Sequence, residues 1–294
     1  MSWPNLTENK KLRDLTERAV EAVFLFCASV AVLSVIVITI YIFAKGSPAI
    51  MKIGLWQFVS GTEWQPGAEI FGIFPMIAAS ILVTLGAIVI GVTIGLFTAV
   101  FLAEVAPSNL VKVFRPAIEL LAGIPSVVYG FFGLVVIVPL ISRYLGGPGN
   151  SLLAGIIILA VMVLPTIVSI AETSMRAVPL SYKEGSLALG ATHIQTIFKV
   201  IVPAAKSGIM TGVVLGIGRA IGETMAVILV TGNTVLIPKS ILDPVRTLTA
   251  NIALEMGYAS GLHADILFST GVILFIFIMI LNIILNVLIR KKVG

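Results

Sequence analysis

The chain has 294 residues, of which 58% are hydrophobic and only 11% are charged, and its mean hydropathy is +1.11. So few charges cannot cover a water-soluble globule of this size, so the composition predicts an integral membrane protein. The net charge of +5 does not indicate a nucleic-acid partner, because the basic residues are scattered through short loops and the two ends. The single cysteine, Cys27, lies in an apolar stretch and excludes an internal disulfide.

Hydropathy predicts an all-α fold with six membrane-spanning helices. A basic tail, 1–19, precedes an apolar stretch at 20–44 that is long enough to cross about 30 Å of hydrocarbon. This stretch is longer than the core of a signal peptide, so we interpret it as a first span that is retained. The polar segment 45–70 is predicted as an external loop, in which Trp56 and Trp64 are typical of the membrane interface.

Five more spans are predicted at 71–102, 116–145, 151–170, 204–231 and 265–289, followed by a basic tail, 290–294. The third contains Gly123 and Pro125, which spans tolerate because neighbouring helices satisfy the freed backbone groups. The segment between the fifth and sixth spans is predicted as a polar external loop. We interpret His193 and His263 as ordinary loop residues, and no metal site is expected.

The distribution of the basic residues predicts the orientation. The positive-inside rule places the more basic side in the cytoplasm, so both termini are expected there. Of the 19 Lys and Arg residues, the opposite side holds only Lys45, Lys52, Arg143, Lys239 and Arg246, and Arg219 lies inside a span. The cytoplasmic side holds Lys10, Lys11, Arg13, Arg18, Lys112, Arg115, Arg176, Lys183, Lys199, Lys206, Arg290, Lys291 and Lys292.

The polar segment 181–203, which we call the knob, predicts two short helices joined by a turn. Ser181 and Glu184 have the spacing of a capping box. Gly190 can then supply the left-handed conformation that ends a helix. Thr192 and Gln195 repeat the capping pattern, so a second helix is expected to begin there and run toward residue 203.

The knob resembles the cytoplasmic coupling loop of ABC importer permeases, in which Glu-Ala-Ala, three residues, Gly and nine residues precede Ile-x-Leu-Pro. Glu184, Gly190, Val200, Val202 and Pro203 fall on this pattern, and Gly185 and Ser186 stand where the family has its alanines. The resemblance implies that the knob docks on a separate ATPase subunit, with Ser181 among the coupling residues. The alternative is a plain polar loop between two spans.

No Gly-Lys-Ser/Thr sequence is present, so this chain has no phosphate-cradling loop of that type. We therefore expect no cofactor in this chain and expect ATP and Mg²⁺ to bind the partner ATPase.

The fifth predicted span contains two charged residues, Arg219 and Glu223, on one helical stripe with Gly208, Gly212 and Gly216. The small residues would let another helix approach closely. Placing an arginine at mid-membrane depth costs at least about 2.5–3.5 kcal/mol, so its charge needs a partner, and a functional role is expected. Either the two charges form a structural ion pair, or the guanidinium binds an oxyanion in a pathway while Glu223 limits how tightly that anion is held.

Two runs, GIGRAIGETMAV at 216–227 and AGIPSVVYGFFG at 122–133, resemble the phosphate ABC-transporter permeases of the PstC type. The companion PstA-type permeases are similar, but Thr224 to Val227 look more like the PstC type. The resemblance implies a MetI-like core of five helices, spans two to six, with the first span as an addition. It also implies that Arg219 and Glu223 are critical for transport and that Glu184 and Gly190 belong to the ATPase contact.

The implied partners are a PstA-like permease, two PstB-like ATPases, a PstS-like external phosphate-binding protein, membrane lipid and inorganic phosphate, in a bacterial inner membrane. Glu119, Ser126, Tyr129 and Thr224 are further candidates for the pathway or a gate. For Glu119, reaching the interface or pairing with Arg115 is the simpler interpretation. For Ser126 and Tyr129, a packed helix contact is the simpler interpretation.

Three other functions remain open from the sequence. A permease for molybdate, sulfate or another oxyanion would use the same arginine. An ion-coupled secondary transporter is disfavoured, because the chain shows no repeated halves. An intramembrane enzyme is disfavoured because no span contains a histidine and no Ser-His or two-His site is visible.

Overall fold

The computed structural model describes the backbone of residues 10–293 and the side chains of residues 17–284 and 287. Residues 1–9 of the predicted tail 1–19, and Gly294 of the predicted tail 290–294, lie outside the described residues. We call the side of the molecule that carries the knob the knob side and the opposite one the far side.

The described chain is helical apart from loops and one short hairpin, which confirms the predicted all-α class. The first half contains α1 (Lys10–Ile53), α2 (Leu55–Ser60), α3 (Phe74–Val100), α4 (Ser108–Gly123), α5 (Ser126–Phe132), α6 (Val138–Leu145) and α7 (Leu152–Arg176). The second half contains α8 (Leu180–Ala188), α9 (His193–Thr196), α10 (Val202–Ala204), α11 (Lys206–Gly222), α12 (Met225–Val230), α13 (Leu248–Glu255) and α14 (Leu262–Val293).

Short irregular elements complete the order. Turns of π-helix, which has a wider turn than the α-helix, span Phe101–Val105, Gly133–Ile137 and Ile197–Ile201. The hairpin pairs β1 (Trp64–Gln65) with the antiparallel β2 (Ile70–Phe71).

Within the described residues, five helical segments are long and apolar enough to cross a membrane: Glu17–Ile53, Phe74–Val105, Ser126–Leu145, Leu152–Arg176 and Leu262–Ile284. A sixth candidate is the pair His193–Ala204 and Lys206–Gly222, which is bent by 68°. The predicted number of six is therefore reached only if that bent pair counts as one span.

Several predicted boundaries differ from the structure. The predicted external loop 45–70 begins with the last turns of α1 and also contains α2 and the hairpin. The predicted third span 116–145 is divided, because α4 ends before Ile124 and Pro125, and the spanning segment begins at Ser126. Proline disfavours a helical conformation in the residue before it, and Ile124 is accordingly extended, with φ −70° and ψ 128°.

Helix α7 forms the centre of the molecule, and α3 and α11 pack along it. The predicted stripe of small residues on α11 faces this helix. A Cβ atom added to Gly212 would lie 3.1 Å from Cβ of Ile170, and one added to Gly208 would lie 2.0 Å from Oγ of Ser174. The glycines therefore allow the close helix approach that their spacing predicts.

The N-terminal helix α1 lies beside this core and packs against α14. The hydroxyl of Ser269 donates a hydrogen bond of 2.7 Å to the carbonyl oxygen of Gly46, and the rings of Tyr41 and Phe268 meet edge to face. Only the far-side half of α1 makes these contacts, since the side chains of 18–38 are exposed.

Candidate translocation and coupling sites

The predicted pairing of Arg219 with Glu223 on one helix face is wrong. Helix α11 ends at Gly222, and Glu223 has an extended backbone, with φ −71° and ψ 127°. Its carboxylate turns toward the next helix, where Oε1 accepts a hydrogen bond of 3.3 Å from the backbone N–H of Ala226. A side chain that satisfies a free N–H at a helix start competes with continued helix, which explains why the two charges separate.

Arg219 lies half-buried on the last turns of α11. Its Nη1 donates a hydrogen bond of 3.3 Å to the hydroxyl of Thr166. Thr166 is near the middle of α7, so the guanidinium lies deep within the helical bundle. In the described part of the chain, no ion pair joins Arg219 to a carboxylate.

The backbone break after Gly222 adjoins a small polar cavity of about 10 Å³. Its polar lining comes from Ser80, Thr84, Glu223, Thr247 and Thr249. The hydroxyl of Thr249 donates a hydrogen bond of 3.2 Å to the carbonyl oxygen of Glu223. Thr249, at the start of α13, therefore holds the backbone at the break, and hydroxyl groups from α3 line the cavity beside it.

Helix α13 lies in the segment that the sequence predicted as a polar external loop, yet Leu248, Ala250 and Asn251 are almost fully buried. The backbone N–H of Leu248 donates a hydrogen bond of 3.0 Å to the hydroxyl of Ser80. This segment folds back against the spans instead of lying over them. Sequence reasoning missed its contribution to the site.

The remaining pathway candidates differ in burial and in their hydrogen-bond partners. Tyr129 is buried, and its hydroxyl donates a hydrogen bond of 2.8 Å to the carbonyl oxygen of Leu121. Ser126 is half-buried at the start of α5, and Thr224 donates to the carbonyl oxygen of Gly222 at 3.3 Å. Glu119 is exposed on α4. Its suggested pairing with Arg115 is wrong, because that arginine binds Glu172.

The knob has the predicted helix, turn, helix form. Gly190 has φ +84°, as predicted, and the capping box of Thr192 and Gln195 is confirmed by hydrogen bonds of 3.3 and 2.9 Å. The capping box predicted for Ser181 and Glu184 is wrong. Helix α8 begins two residues earlier, with Pro179 and not Ser181 at the N-cap position, and has no side-chain cap.

The outer surface of the knob is exposed and partly apolar. Leu189 is 91% exposed and Ile194 is 69% exposed, and Glu184 and Gly185 are also exposed. The hydroxyl of Ser186 pairs with Thr196 at 3.0 Å and joins the two short helices. Large apolar side chains in water commonly mark an interaction surface.

Residues 91–293 match the family described as the binding-protein-dependent transport system inner membrane component. The chain belongs to this family. It is the transmembrane permease subunit of an ABC importer with a MetI-like core, and the family implies a partner ATPase and a substrate-binding protein.

Relatives match the permease over most of its length. The probable ABC transporter permease protein YqgH of Bacillus subtilis (strain 168) is 41% identical, over 98% of this chain and 96% of the relative. The phosphate transport system permease protein PstC of Mesorhizobium japonicum is 37% identical, over 90% and 89%.

Solved structures share the fold at lower identity. A bacterial ABC transporter involved in the import of the acidic polysaccharide alginate has a TM-score of 0.66 and 15% identity, over 95% of this chain and 99% of that one. An inward-facing MetNI methionine ABC transporter has a TM-score of 0.61 and 21% identity, over 78% and 99%.

On its far side the permease has a buried cluster that sequence reasoning missed, which we call the far-side cluster: Trp64, Arg246, Glu255 and His263. The carboxylate of Glu255 accepts from Nη1 of Arg246 at 2.6 Å, Nε2 of His263 at 2.8 Å and Nε1 of Trp64 at 2.9 Å. The interpretation of His263 as an ordinary loop residue is wrong. Trp64 is 191 residues from Glu255 in sequence, whereas Arg246 and His263 are 9 and 8 residues from it. The sequence spacing alone did not show that these four residues meet.

Proposed function

We propose that this permease is the PstC-type subunit of a bacterial importer of inorganic phosphate. Arg219 is the observation that carries the proposal. It lies about 20 Å along α11 from Lys206 and has a hydroxyl group, not a carboxylate, as its hydrogen-bond partner. A guanidinium in this situation presents its planar fork to an oxyanion. The relatives that are named as phosphate permeases support phosphate as that anion.

The hydroxyl of Thr166 adds a second polar group beside the guanidinium. A single arginine with one hydroxyl binds an anion weakly, which suits transport, because the anion must leave as well as enter. Glu223 lies beyond the helix end, where its carboxylate adds negative charge next to the path. We infer that it limits how long an anion is held.

The proposed assembly contains a PstA-like permease, two PstB-like ATPases and a PstS-like external binding protein. The exposed knob supports docking of an ATPase through Glu184, Gly185, Ser186 and Gly190, and the excess of basic residues on the knob side supports a cytoplasmic location for it and for both termini. This chain has no catalytic role in the proposal, and ATP and Mg²⁺ bind to the partner ATPases.

The proposal is tested by replacing Arg219 with Gln in the assembled transporter and measuring uptake of labelled phosphate into proteoliposomes. We expect a loss of about 10-fold or more, since hydrogen bonds to a charged group contribute roughly 1.5–3 kcal/mol. The matched control is Arg143→Gln, which removes an exposed far-side arginine. Uptake at the wild-type rate in Arg219→Gln refutes the role of this residue.

Substrate identity is tested separately with unlabelled competitors. Phosphate is expected to reduce uptake of the labelled phosphate, whereas sulfate and molybdate at the same concentration are not. Uptake of sulfate or molybdate in place of phosphate would refute the phosphate assignment and leave the arginine pathway intact.

A further inference from the structure

Ion pairs, together with one hydrogen bond to a backbone carbonyl oxygen, join the knob to helix α4 on the knob side. These contacts start at Lys183 on α8, whose Nζ lies 2.6 Å from Oε2 of Glu104. Glu104 belongs to the π-helical turn Phe101–Val105 that ends the second span. Its side chain is only 8% exposed, so its charge needs a partner, and Lys183 is the partner that the structure shows.

The same π-helical turn is held from its other side. Nη2 of Arg176 donates a hydrogen bond of 2.7 Å to the carbonyl oxygen of Leu102, one of the carbonyls left without a helical partner at the end of this span. Nε of Arg176 lies 2.9 Å from Oε1 of Glu172. The end of α7 is therefore tied to the turn that also holds the knob. Such turns are rare and often occur at functional sites.

Glu172 extends these contacts to α4. It is 4% exposed, and the same carboxylate oxygen also pairs with Nη2 of Arg115 on α4. At the other end of α4, the carbonyl oxygen of Leu121 accepts the hydrogen bond from Tyr129 on α5. Polar contacts, joined to one another through the backbone of the π-helical turn and of α4, therefore run from the knob to the start of the third span.

Ile197 and Ile201 of the knob are buried in an apolar cluster with side chains of the second and fourth spans. This cluster fills only part of the joint between the knob and the spans. A partly open cavity of about 310 Å³ lies there, and its lining includes Glu104, Arg176, Pro179 and Lys183. Because the cavity leaves part of the joint unpacked, the pair of Lys183 with Glu104 is a direct bridge across it. Removing this bridge would let α8 tilt into the space.

We propose that Lys183, Glu104, Arg176, Glu172 and Arg115 are positioning residues that make the knob, the ends of α3 and α7, and helix α4 move as one body. Movement of the knob then reaches α5 and Tyr129 directly, so that force applied to the knob repositions the start of the third span. This inference rests on the proposed function only in that the force comes from a docked ATPase.

The first test measures coupling in the assembled transporter with its ATPase. Glu104→Gln and Lys183→Gln each remove one charge, and the double variant Glu104→Lys with Lys183→Glu restores the pair in reverse. We expect the single variants to assemble and hydrolyse ATP but to transport roughly fivefold less phosphate per ATP, the lower end of typical coupling effects. The double variant should recover most of the loss, whereas Lys112→Gln, an exposed change on α4, should have no effect.

The second test needs no transported substrate and so separates this inference from the proposed function. Spin labels at Lys112→Cys and Ala188→Cys, in a Cys27→Ser background, report the distance between α4 and the knob. We expect one narrow distance distribution with and without ATP, and a broad one in Lys183→Gln.

Three results would overturn the proposal. The first is a distance between α4 and the knob that changes in the wild-type protein when ATP binds. The others are single variants that keep a narrow distance distribution and the wild-type phosphate transported per ATP, or a charge-reversed double variant that transports no more phosphate per ATP than the single variants. If Glu104→Gln does not assemble, Lys183→Gln, at the more exposed end of the pair, provides the same comparison.

Discussion

Replacing Glu255 with alanine tests whether the far-side cluster holds the permease together. Glu255 is 5% exposed and lies at the C-terminal end of α13, where a negative charge is unfavourable with respect to the helix dipole. Its position is stable because Arg246, His263 and Trp64 all donate hydrogen bonds to it. Alanine would leave those three donors without their shared acceptor.

The expected loss of stability follows from these contacts. Removing one partner of a buried ion pair costs about 3–5 kcal/mol. The side chain of Arg246 is 18% exposed and regains some hydration, so we expect the lower end, about 3 kcal/mol. Glu255→Gln keeps one acceptor oxygen but loses the charge, and about 1.5–3 kcal/mol is expected. The control is Glu63→Ala, an exposed far-side carboxylate, for which a change within about 0.5 kcal/mol is expected.

The chain provides its own reporter for this measurement. Trp64 belongs to the cluster, so a background of Trp3→Phe and Trp56→Phe leaves it as the single tryptophan. Its fluorescence is followed while the purified permease is unfolded by increasing SDS in mixed micelles. If Glu255→Ala unfolds at the same SDS fraction as Glu63→Ala, the cluster does not stabilise the fold and the reasoning is wrong.

Two further substitutions test packing and the pathway. In Gly130→Ala, the new Cβ would lie 2.7 Å from the backbone Cα of Ala226, so we expect a loss of about 1–3 kcal/mol in thermal unfolding. In the control Gly123→Ala, no atom lies within 4 Å of the new Cβ, so no loss of stability is expected. If Gly123→Ala and Gly130→Ala lose the same stability, the close approach of α5 and α12 at Gly130 is contradicted. Thr166→Val removes the hydroxyl beside Arg219, and we expect the KM for phosphate uptake to rise by roughly 5–10-fold. Thr166→Ser should keep the wild-type KM. If the KM of Thr166→Ser rises as much as that of Thr166→Val, loss of the hydroxyl is not the cause.

Features of the knob that depend on a few adjacent residues were predictable from the sequence. Gly190 and the pair of Thr192 and Gln195 act within one helical turn, so their spacing alone determines the conformation. Ser181 has the same local pattern but lies inside α8, because Pro179 starts that helix two residues earlier. Pro179 and the Ser181 capping pattern are both signals for a helix start, and the spacing alone could not show which of them the fold uses.

The sequence contains a pattern that predicts the division of the third predicted span, but an averaged hydropathy profile does not show it. An averaged hydropathy profile runs across Ile124 and Pro125 without a break. However, Lys112, Arg115 and Glu119 follow one another at helical spacing and give α4 a polar stripe, which a spanning helix would not have. The amphipathic pattern together with Pro125 would have predicted two helices.

The break at Glu223 could not be predicted in this way, because the groups that hold it are distant in sequence. Thr249 donates to the carbonyl oxygen of Glu223, and Ser80 holds the start of α13. In an isolated α11, continuing the helix through Glu223 would also satisfy the backbone N–H and C=O groups near Glu223. Only the folded position of α13 makes the extended conformation favourable.

The buried charges of the permease follow two different physical rules. Glu104 and Glu172 on the knob side, and Glu255 on the far side, are nearly inaccessible, and each has at least one cationic partner. These pairs offset the cost of burying charge at the two ends of the bundle. Arg219 lies between the ends, where a cation costs at least about 2.5–3.5 kcal/mol, and one hydrogen bond of 3.3 Å to a hydroxyl offsets only a fraction of that. A charge that the described part of the fold does not neutralise supports the proposal that the solute path runs along the Arg219 face of α11.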